Sequence, residues 1–431
     1  ARDAAATLRL FHELYPRLSP NEQYLYEAVE RPLIPILADM ELRGIRLANS
    51  VVFEQLISKC ESERLSILSE MQLGGWPCDI NKKQQGVDSF PVLSNFLYQT
   101  LALPILTKTP TGQPATNKQA IELLAANHPE LRVLLEYRKV RDLLNKFLYP
   151  LHEYAGQSIH PHIHQVKVYD EGEDSFGGTS VGRLSYSNPN VQQFAKGGGI
   201  RDLVIAPPGM SLVAGDWGQL HLRIYAAMCG DETMIGAFER DEDVHDNIRL
   251  VLGYPPEARP TIKNGVYGRL YGAAAPKLSI TLGLSLNETI TFLEDLDKVM
   301  PSVRQYAAEV IRDARIKGYS ETLLGRRYRH PDMMSPDASA RARAERVLVN
   351  FTIIGTEAEI AKLAMLEWTQ QHPEAPLYIQ VHDELVVVCP EGSEDYYIGE
   401  LKRVMKAVDI LQRVPLDATV GWGKTWKEAK A

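Results

Sequence analysis

Two short apolar runs, at residues 378–381 and 385–388, flank the polar trio His382, Asp383 and Glu384 in YIQVHDELVVVC, a pattern that predicts a β-hairpin with an acidic tip. Neighbouring carboxylates between β-branched runs raise one another's pKa and are hard to desolvate without a cation, which makes the tip a candidate for a divalent metal; a solvated turn is the plainer alternative. The run MSLVAG at 210–215 predicts a buried strand that delivers Asp216 at its end, ahead of the helical GQLHLRIYAAMCG. A carboxylate at such a junction serves as a functional acid or as a helix cap.

Helical periodicity governs most of the rest. Residues 1–30 open on ARDAAATLRLFHEL, with Leu8, Leu10, Phe11 and Leu14 on one side and no cap in front, so the chain is expected to start inside a longer protein. Residues 31–47 read as a helix ended by Gly44 and then a short strand. Long helices are expected over 51–149 around an irregular, mobile tip at 74–88, and TKTPTGQPATN at 107–117 is expected to be extended ahead of a helix over 118–126. HPHIHQVKV at 160–168 alternates like a strand; its three histidines offer a metal reading, which an edge strand with a polar face also explains. GGTSVGRLSYSNPNVQQF at 177–194 is turn-rich and polar around an isolated Arg183, as suits a loop that touches a ligand. Residues 231–371 read as helices with stops at 253–256 and 331–336.

One helical stretch differs from its neighbours. In RPTIKNGVYGRLYG, Arg259, Lys263, Tyr267 and Tyr271 recur every fourth residue and form a stripe about 18 Å long on one face, roughly the length of a nucleoside triphosphate. Two cations can meet phosphates and two rings can meet sugar and base; a core stripe is the alternative. Gly265, Gly268 and Gly272 weaken a helix and are expected where something approaches closely.

Composition narrows the class without naming it. The chain has 431 residues, enough for two or three domains, with 45% hydrophobic and 24% charged residues, which excludes disordered and fibrous readings. Cys60, Cys78, Cys229 and Cys389 form no CxxC pair, which argues against structural zinc and for a reducing compartment. No apolar run approaches about 20 residues and no signal pattern opens the chain, so a cytoplasmic protein with no membrane partner is expected. The net charge of -8 weighs against nucleic acid, yet residues 304–346 hold ten Lys or Arg against six Asp or Glu, and Arg132, Arg138, Lys139, Arg141 and Lys146 form a second basic strip.

Taken in order, DWGQLHLR at 216, the RxxxKxxxYxxxY helix at 259 and VHDEL at 381 resemble the A, B and C motifs of family A DNA polymerases, the bacterial DNA polymerase I or phage type. Further blocks that resemble the family run over nearly the whole chain: ERPLIPILADMELRGIRL, KTPTGQPATN, VGRLSYSNPNVQQF, GYSETLLGRRYRHPD, ERVLVNFTIIGTEAEIAKLAM and VGWGKTW. The resemblance implies an α+β right-hand architecture with an antiparallel-sheet palm and helical fingers and thumb. Residues 1–30 would be a remnant of a 3'-5' exonuclease domain and linker, 31–50, 150–234 and 371–431 palm, 51–149 thumb and 235–370 fingers. It further implies primer-dependent, template-directed DNA synthesis from dNTPs by two-metal phosphoryl transfer, with two Mg2+ ions and Mn2+ as a substitute.

By the same resemblance Asp216 and Asp383 hold the metals together with Trp217, Glu384 is an auxiliary acid, and Arg259 and Lys263 neutralise the triphosphate, Lys263 protonating the leaving group. Tyr267, Tyr271, His245, His221 and Gln219 would complete the dNTP site. Arg183, Asn190, Gln192, Arg346, Asn350, His382 and Gln380 would contact primer–template DNA, Arg183 through minor-groove acceptors. A monomer is implied, in a bacterial or phage-infected cell, with a separate or upstream exonuclease or helicase module.

Three departures from the family pattern carry expectations. His221 stands where the family usually has a Glu that crowds the 2' position of a ribonucleotide, so sugar discrimination is expected to persist in reduced form through a hydrogen bond to Tyr271. Tyr267 stands where most bacterial members have Phe, and its hydroxyl is expected to favour dideoxynucleotides. Ile354 stands where many relatives have a minor-groove Gln, which would loosen mismatch sensing. Asp3 resembles an exonuclease metal ligand whose partners are absent, so no proofreading is expected of this chain. A phage-type single-subunit RNA polymerase and an inactive DNA-binding scaffold are the competing readings; the HDE tip and thumb blocks favour DNA synthesis over the first, and the presence of both Asp216 and Asp383 argues against the second.

Overall fold

A computed structural model describes residues 2–82, 85–167 and 177–430 of the chain. The fold is α+β: long and short helices surround small antiparallel sheets. Chain contacts group it into two compact units, one of residues 1–46, 158–194 and 205–431, the other of residues 47–157 and 195–204.

In the first unit the helix Arg31–Arg43 ends at Gly44, whose φ of +69° turns the chain into β1 (Ile45–Arg46). A Cβ on Gly44 would lie 2.6 Å from the Ile159 carbonyl oxygen, so only glycine permits the close pairing of β1 with β2 (Ser158–Ile159). β3 (His162–His164) pairs with β4 (Ser185–Ser187). The functional scaffold is a four-stranded antiparallel sheet built on β5 (Met210–Trp217). A small hairpin of β6 (Ser320–Glu321) and β7 (Arg327–Tyr328), too short to carry a periodic pattern, precedes the remaining strands β8 (Leu377–Val381), β9 (Glu384–Pro390) and β10 (Ala418–Gly423). The sheet order is β10-β5-β9-β8, so β5 and β9, far apart in sequence, are central neighbours.

Their continuous apolar runs follow from burial on both faces. On one face Gly215 packs so closely on the helix Glu394–Ala407 that a Cβ would lie 2.4 Å from Met405 Sδ. The helix Ala338–Gln371, 34 residues long, contributes Ile353, Ile360, Ala364, Met365 and Trp368 to the same core as Val213, Leu385 and Val387. At the start of the unit, Leu8, Leu10 and Leu14 on the helix Arg2–Leu14 lie on a solvent-exposed face, at 56%, 57% and 52%, rather than in a core.

The second unit has its own core of Phe53, Leu68, Met71, Leu134, Tyr137 and Leu148, organised by the helices Ser50–Leu73 and Arg132–Leu143. Apart from the 24-residue first helix, its helices are shorter than the sequence pattern suggests. Part of its irregular stretch, residues 83–84, lies outside the described residues.

The basic strips are compensated in part by neighbouring acids. Arg141 pairs with Asp88 and Asp142, and Lys146 with Asp142 at 2.8 Å. In the other strip Arg315 pairs with Glu345, Arg326 with Glu30, Arg327 with Glu321 at 3.1 Å and Arg343 with Asp332 at 3.1 Å. No helix among the described residues is long and apolar enough to cross a membrane.

Candidate active site

Strand register decides which acids meet. Asp216 lies opposite Glu384 in the β5–β9 pairing, and the Trp217 amide donates to the Asp383 carbonyl at 3.1 Å, so Asp216, Asp383 and Glu384 gather at one end of two adjacent strands. The tip is shorter than its sequence suggests: His382 and Asp383 alone make the turn, and Glu384 already belongs to β9. His382, with φ of +54°, takes the left-handed conformation that a two-residue reversal demands. At this tip burial, and then the charge of Asp216 beside it, push the Asp383 carboxyl up to about 6.

Glu384 faces a different set of partners. It is buried and accepts hydrogen bonds from Trp426 Nε1 at 2.6 Å and Lys430 Nζ at 3.2 Å; Lys430 also donates to Asp216 Oδ2 at 2.5 Å. Among the described residues no cluster of three or more His, Cys, Asp or Glu is arranged to hold a metal ion. Two hard carboxylates, one of them held away from its charged form by burial and then by the other, suit Mg2+, which binds through one or two carboxylates and fills its remaining positions with water and substrate oxygens. The Trp217 indole is buried and donates to the Met405 carbonyl at 2.9 Å, so only the main chain of Trp217 is left for the metal role inferred from sequence.

Just beyond, Gln219 has φ of +53° and opens the helix Leu220–Cys229; its Oε1 is buried without a hydrogen-bond partner, an unmet acceptor that suits a ligand donor. Second in the helix stands His221. Its Nδ1 contacts the Tyr271 hydroxyl and its Nε2 contacts the carboxylate of Glu357, to which Arg183 Nη2 also donates. Burial pushes Glu357 up, but His221 and Arg183 outweigh it and hold the carboxyl below its usual range.

The cation–aromatic stripe lies on the helix Arg259–Leu270, with Tyr271 as its cap residue. The rings of Tyr267 and Tyr271 stack 6.3 Å apart at 13°. Arg259 is engaged by Asp243 and, at 3.4 Å, by Asp246, while Lys263 is exposed. Between those aspartates His245 is buried, which lowers its pKa to about 4 and keeps the imidazole neutral; neither ring nitrogen has a hydrogen-bond partner within the protein. The stripe glycines accommodate the protein itself rather than a ligand: Cβ atoms on Gly265 and Gly268 would come within 2.1 Å of Phe292 and 2.5 Å of Leu278, and Gly272 lies against Arg346.

Of the remaining sequence candidates, Arg183, Gln380 and His382 border one small pocket together with Lys362. Gln380 Nε2 donates to the His382 carbonyl at 2.7 Å, and Asn350 Nδ2 lies 3.5 Å from the Tyr271 carbonyl oxygen. Asn190 and Gln192 instead shape the Arg183 loop: Asn190 accepts from the Gln192 amide, and Gln192 Nε2 donates to the Leu184 carbonyl, each at 3.0 Å. The histidines of 160–168 do not converge, since His160 Nδ1 meets the Glu41 carbonyl and His164 Nε2 meets Ser187 Oγ; Val168 lies outside the described residues.

Sequence reasoning missed Glu357, Lys430 and a buried ionic cluster in which Lys362 donates to Glu30 at 2.7 and 3.0 Å, Arg326 pairs with Glu30, and Glu359, pushed up to about 7 by burial, accepts from Thr322 at 2.6 Å. The available signal was TEAEIAK, three charges set within an otherwise apolar helical run.

Comparison with known proteins adds a consistent context. The sequence model of DNA polymerase family A matches residues 77–428. The thermostable DNA polymerase I of Thermus filiformis is 35% identical over 448 residues, covering 100% of this chain and 51% of the relative. DNA polymerase I of Pseudomonas aeruginosa is 31% identical over 449 residues, covering 100% of this chain and 47% of the relative. The chain thus spans about half the length of the curated relatives it matches. The solved POL domain of Pol1 from M. smegmatis, in complex with DNA primer-template and dNTP, matches with a TM-score of 0.83 at 29% identity, covering 98% of this chain and 74% of that one.

Proposed function

Because the chain belongs to DNA polymerase family A, we propose that it extends a DNA primer along a template by phosphoryl transfer from dNTPs. The observation that carries this reading is the meeting of Asp216 and Asp383 at one strand end close to the stacked rings of the stripe, where burial first and the Asp383 charge after it raise the Tyr267 hydroxyl. In this reading residues 31–50, 150–234 and 371–431 act as palm, 235–370 as fingers and 51–149 as thumb. The complex of the M. smegmatis domain supports primer–template DNA and dNTP as ligands.

Asp216 and Asp383, with the Trp217 main chain, would hold two Mg2+ ions, which when bound acidify the primer 3'-hydroxyl and neutralise the triphosphate. Arg259 exchanges Asp243 and Asp246 for phosphate oxygens, and the neutral His245 donates its ring N–H to the same group. Lys263, exposed on the helix, neutralises the triphosphate and gives its proton to the departing pyrophosphate. His221 and Tyr271 wall the sugar, Tyr271 stacks near the template base, and Arg183 reads the primer terminus.

Primer extension with Mg2+ tests the reading: template-directed growth with dNTPs that requires a primer supports it, and primer-independent synthesis from rNTPs overturns it. In the same assay Lys263→Ala should lower kcat/KM by about a hundredfold, the scale of removing a charged donor from developing negative charge. Tyr267 bears on terminators, because its hydroxyl can take the contact that a missing 3'-hydroxyl leaves open. Tyr267→Phe is expected to reduce ddNTP incorporation relative to dNTP by roughly tenfold, about one hydrogen bond; an unchanged ratio in single-nucleotide incorporation refutes that role.

A further inference from the structure

Glu357 is the most completely buried carboxylate near the sugar wall, with its side chain 1% exposed, and both of its structural partners come from sequence-distant segments. A carboxylate so placed is stable only where donors compensate it, and here the donors are Arg183 Nη2 and His221 Nε2 on the same oxygen, the two donors themselves 3.3 Å apart. An acceptor at Nε2 fixes the proton on that nitrogen, which leaves Nδ1 as an acceptor for the Tyr271 hydroxyl. The result is one directional chain, Tyr271 O–H to His221 Nδ1 and His221 Nε2–H to Glu357, anchored on a helix whose surroundings are core. Without the carboxylate the imidazole loses the contact that selects its tautomer and ring orientation, and Tyr271 loses a defined acceptor.

We infer that Glu357 is a positioning residue for sugar selection: it orients His221, and through it Tyr271, so that the pair excludes a 2'-hydroxyl. This rests on the polymerase reading above, in which His221 and Tyr271 wall the sugar. Substrate choice in this chain is therefore set partly from the helix Ala338–Gln371, by a group that never touches the nucleotide. The hydroxyl-bearing sugar is the one penalised, since a firm Tyr271–His221 wall removes the space its extra oxygen needs.

Single-nucleotide incorporation by the full chain with dNTP and rNTP at a matched template base provides the test. Glu357→Ala should reduce the ratio of dNTP to rNTP kcat/KM by roughly tenfold to a hundredfold, the range of a charge-assisted hydrogen bond, through a gain for rNTP that exceeds any loss for dNTP. Glu357→Gln, which keeps an acceptor but no charge, should fall between. The double variant His221→Glu/Glu357→Ala, with the carboxylate moved to the wall itself, should recover discrimination. A role confined to packing lowers both substrates together and is not recovered by the double variant; equal loss on both, with a melting curve showing a folded chain, overturns the inference while leaving the polymerase reading intact. A wild-type chain that extends no primer with dNTP overturns the polymerase reading instead, and the inference with it.

Discussion

Asp383→Asn is expected to abolish primer extension, by at least about a thousandfold, while raising the melting temperature of the metal-free chain. The two effects come from the same placement. Asp383 is drawn beside Asp216 at the end of adjacent strands, and burial with that neighbouring charge pushes its carboxyl up to about 6. The sign follows: a carboxyl whose folded pKa lies above its unfolded value favours the folded state only while protonated, and above about pH 6 its ionised form in the metal-free chain works against folding. An amide of the same shape removes the repulsion and should raise the melting temperature by a few degrees at neutral pH. The same amide is a poor ligand for a hard divalent cation, so activity is lost. Melting curves with and without Mg2+, beside extension assays, check both halves; Mg2+ should stabilise the wild type more than the variant. Residual extension above a few per cent of wild type, or a variant less stable than wild type without metal, contradicts the account.

The second large effect is on stability rather than chemistry. Lys362→Met should destabilise the chain by about 3 kcal/mol, because it removes a buried ammonium from Glu30 and leaves Arg326 as the cation facing the buried carboxylates, beside the neutral donors Gln165 and Thr322. Burial raises Glu30, yet Lys362 and Arg326 hold it below its usual range, so its charge depends on these partners. The thioether approximates the shape of the lysine stem, which confines the loss to charge and hydrogen bonding. Glu30→Gln in the same background should recover part of the loss, so a denaturation cycle of the two single variants and the double one measures the coupling. Additive losses would show that Glu30 and Lys362 are not coupled.

How far the site could be read from sequence depended on whether its signal was local. The hairpin at 377–390, the strand bearing Asp216 and the helix Arg259–Leu270 each carry their own periodicity, so the acids and the stripe could be named from residue spacing. The close neighbourhood of Asp216 and Asp383 is a matter of register between β5 and β9, for which the chain offers no local cue; only the order of motifs suggested it. Glu384 shows the limit of reading by adjacency: next to Asp383 in sequence, it is the first residue of β9 and is buried against Trp426 and Lys430, whereas Asp383 belongs to the turn. The glycines are a related case: Gly265 and Gly268 do mark the expected close approach, but its partner, Phe292 or Leu278, is fixed by tertiary packing. Glu357 and Lys362 were hidden in a helix whose hydrophobic pattern runs all the way round, where charge looks like noise until the pairing groups are in place.

The helix Ala338–Gln371 is about 50 Å of continuous rod, and it carries Arg346 and Asn350 near one end and Glu357, Glu359 and Lys362 further along. Such a rod works like a camshaft. Because one element bears the Asn350 contact to Tyr271, the carboxylate behind His221 and the buried ion pairs, a substitution that shifts its register is expected to disturb all three at once.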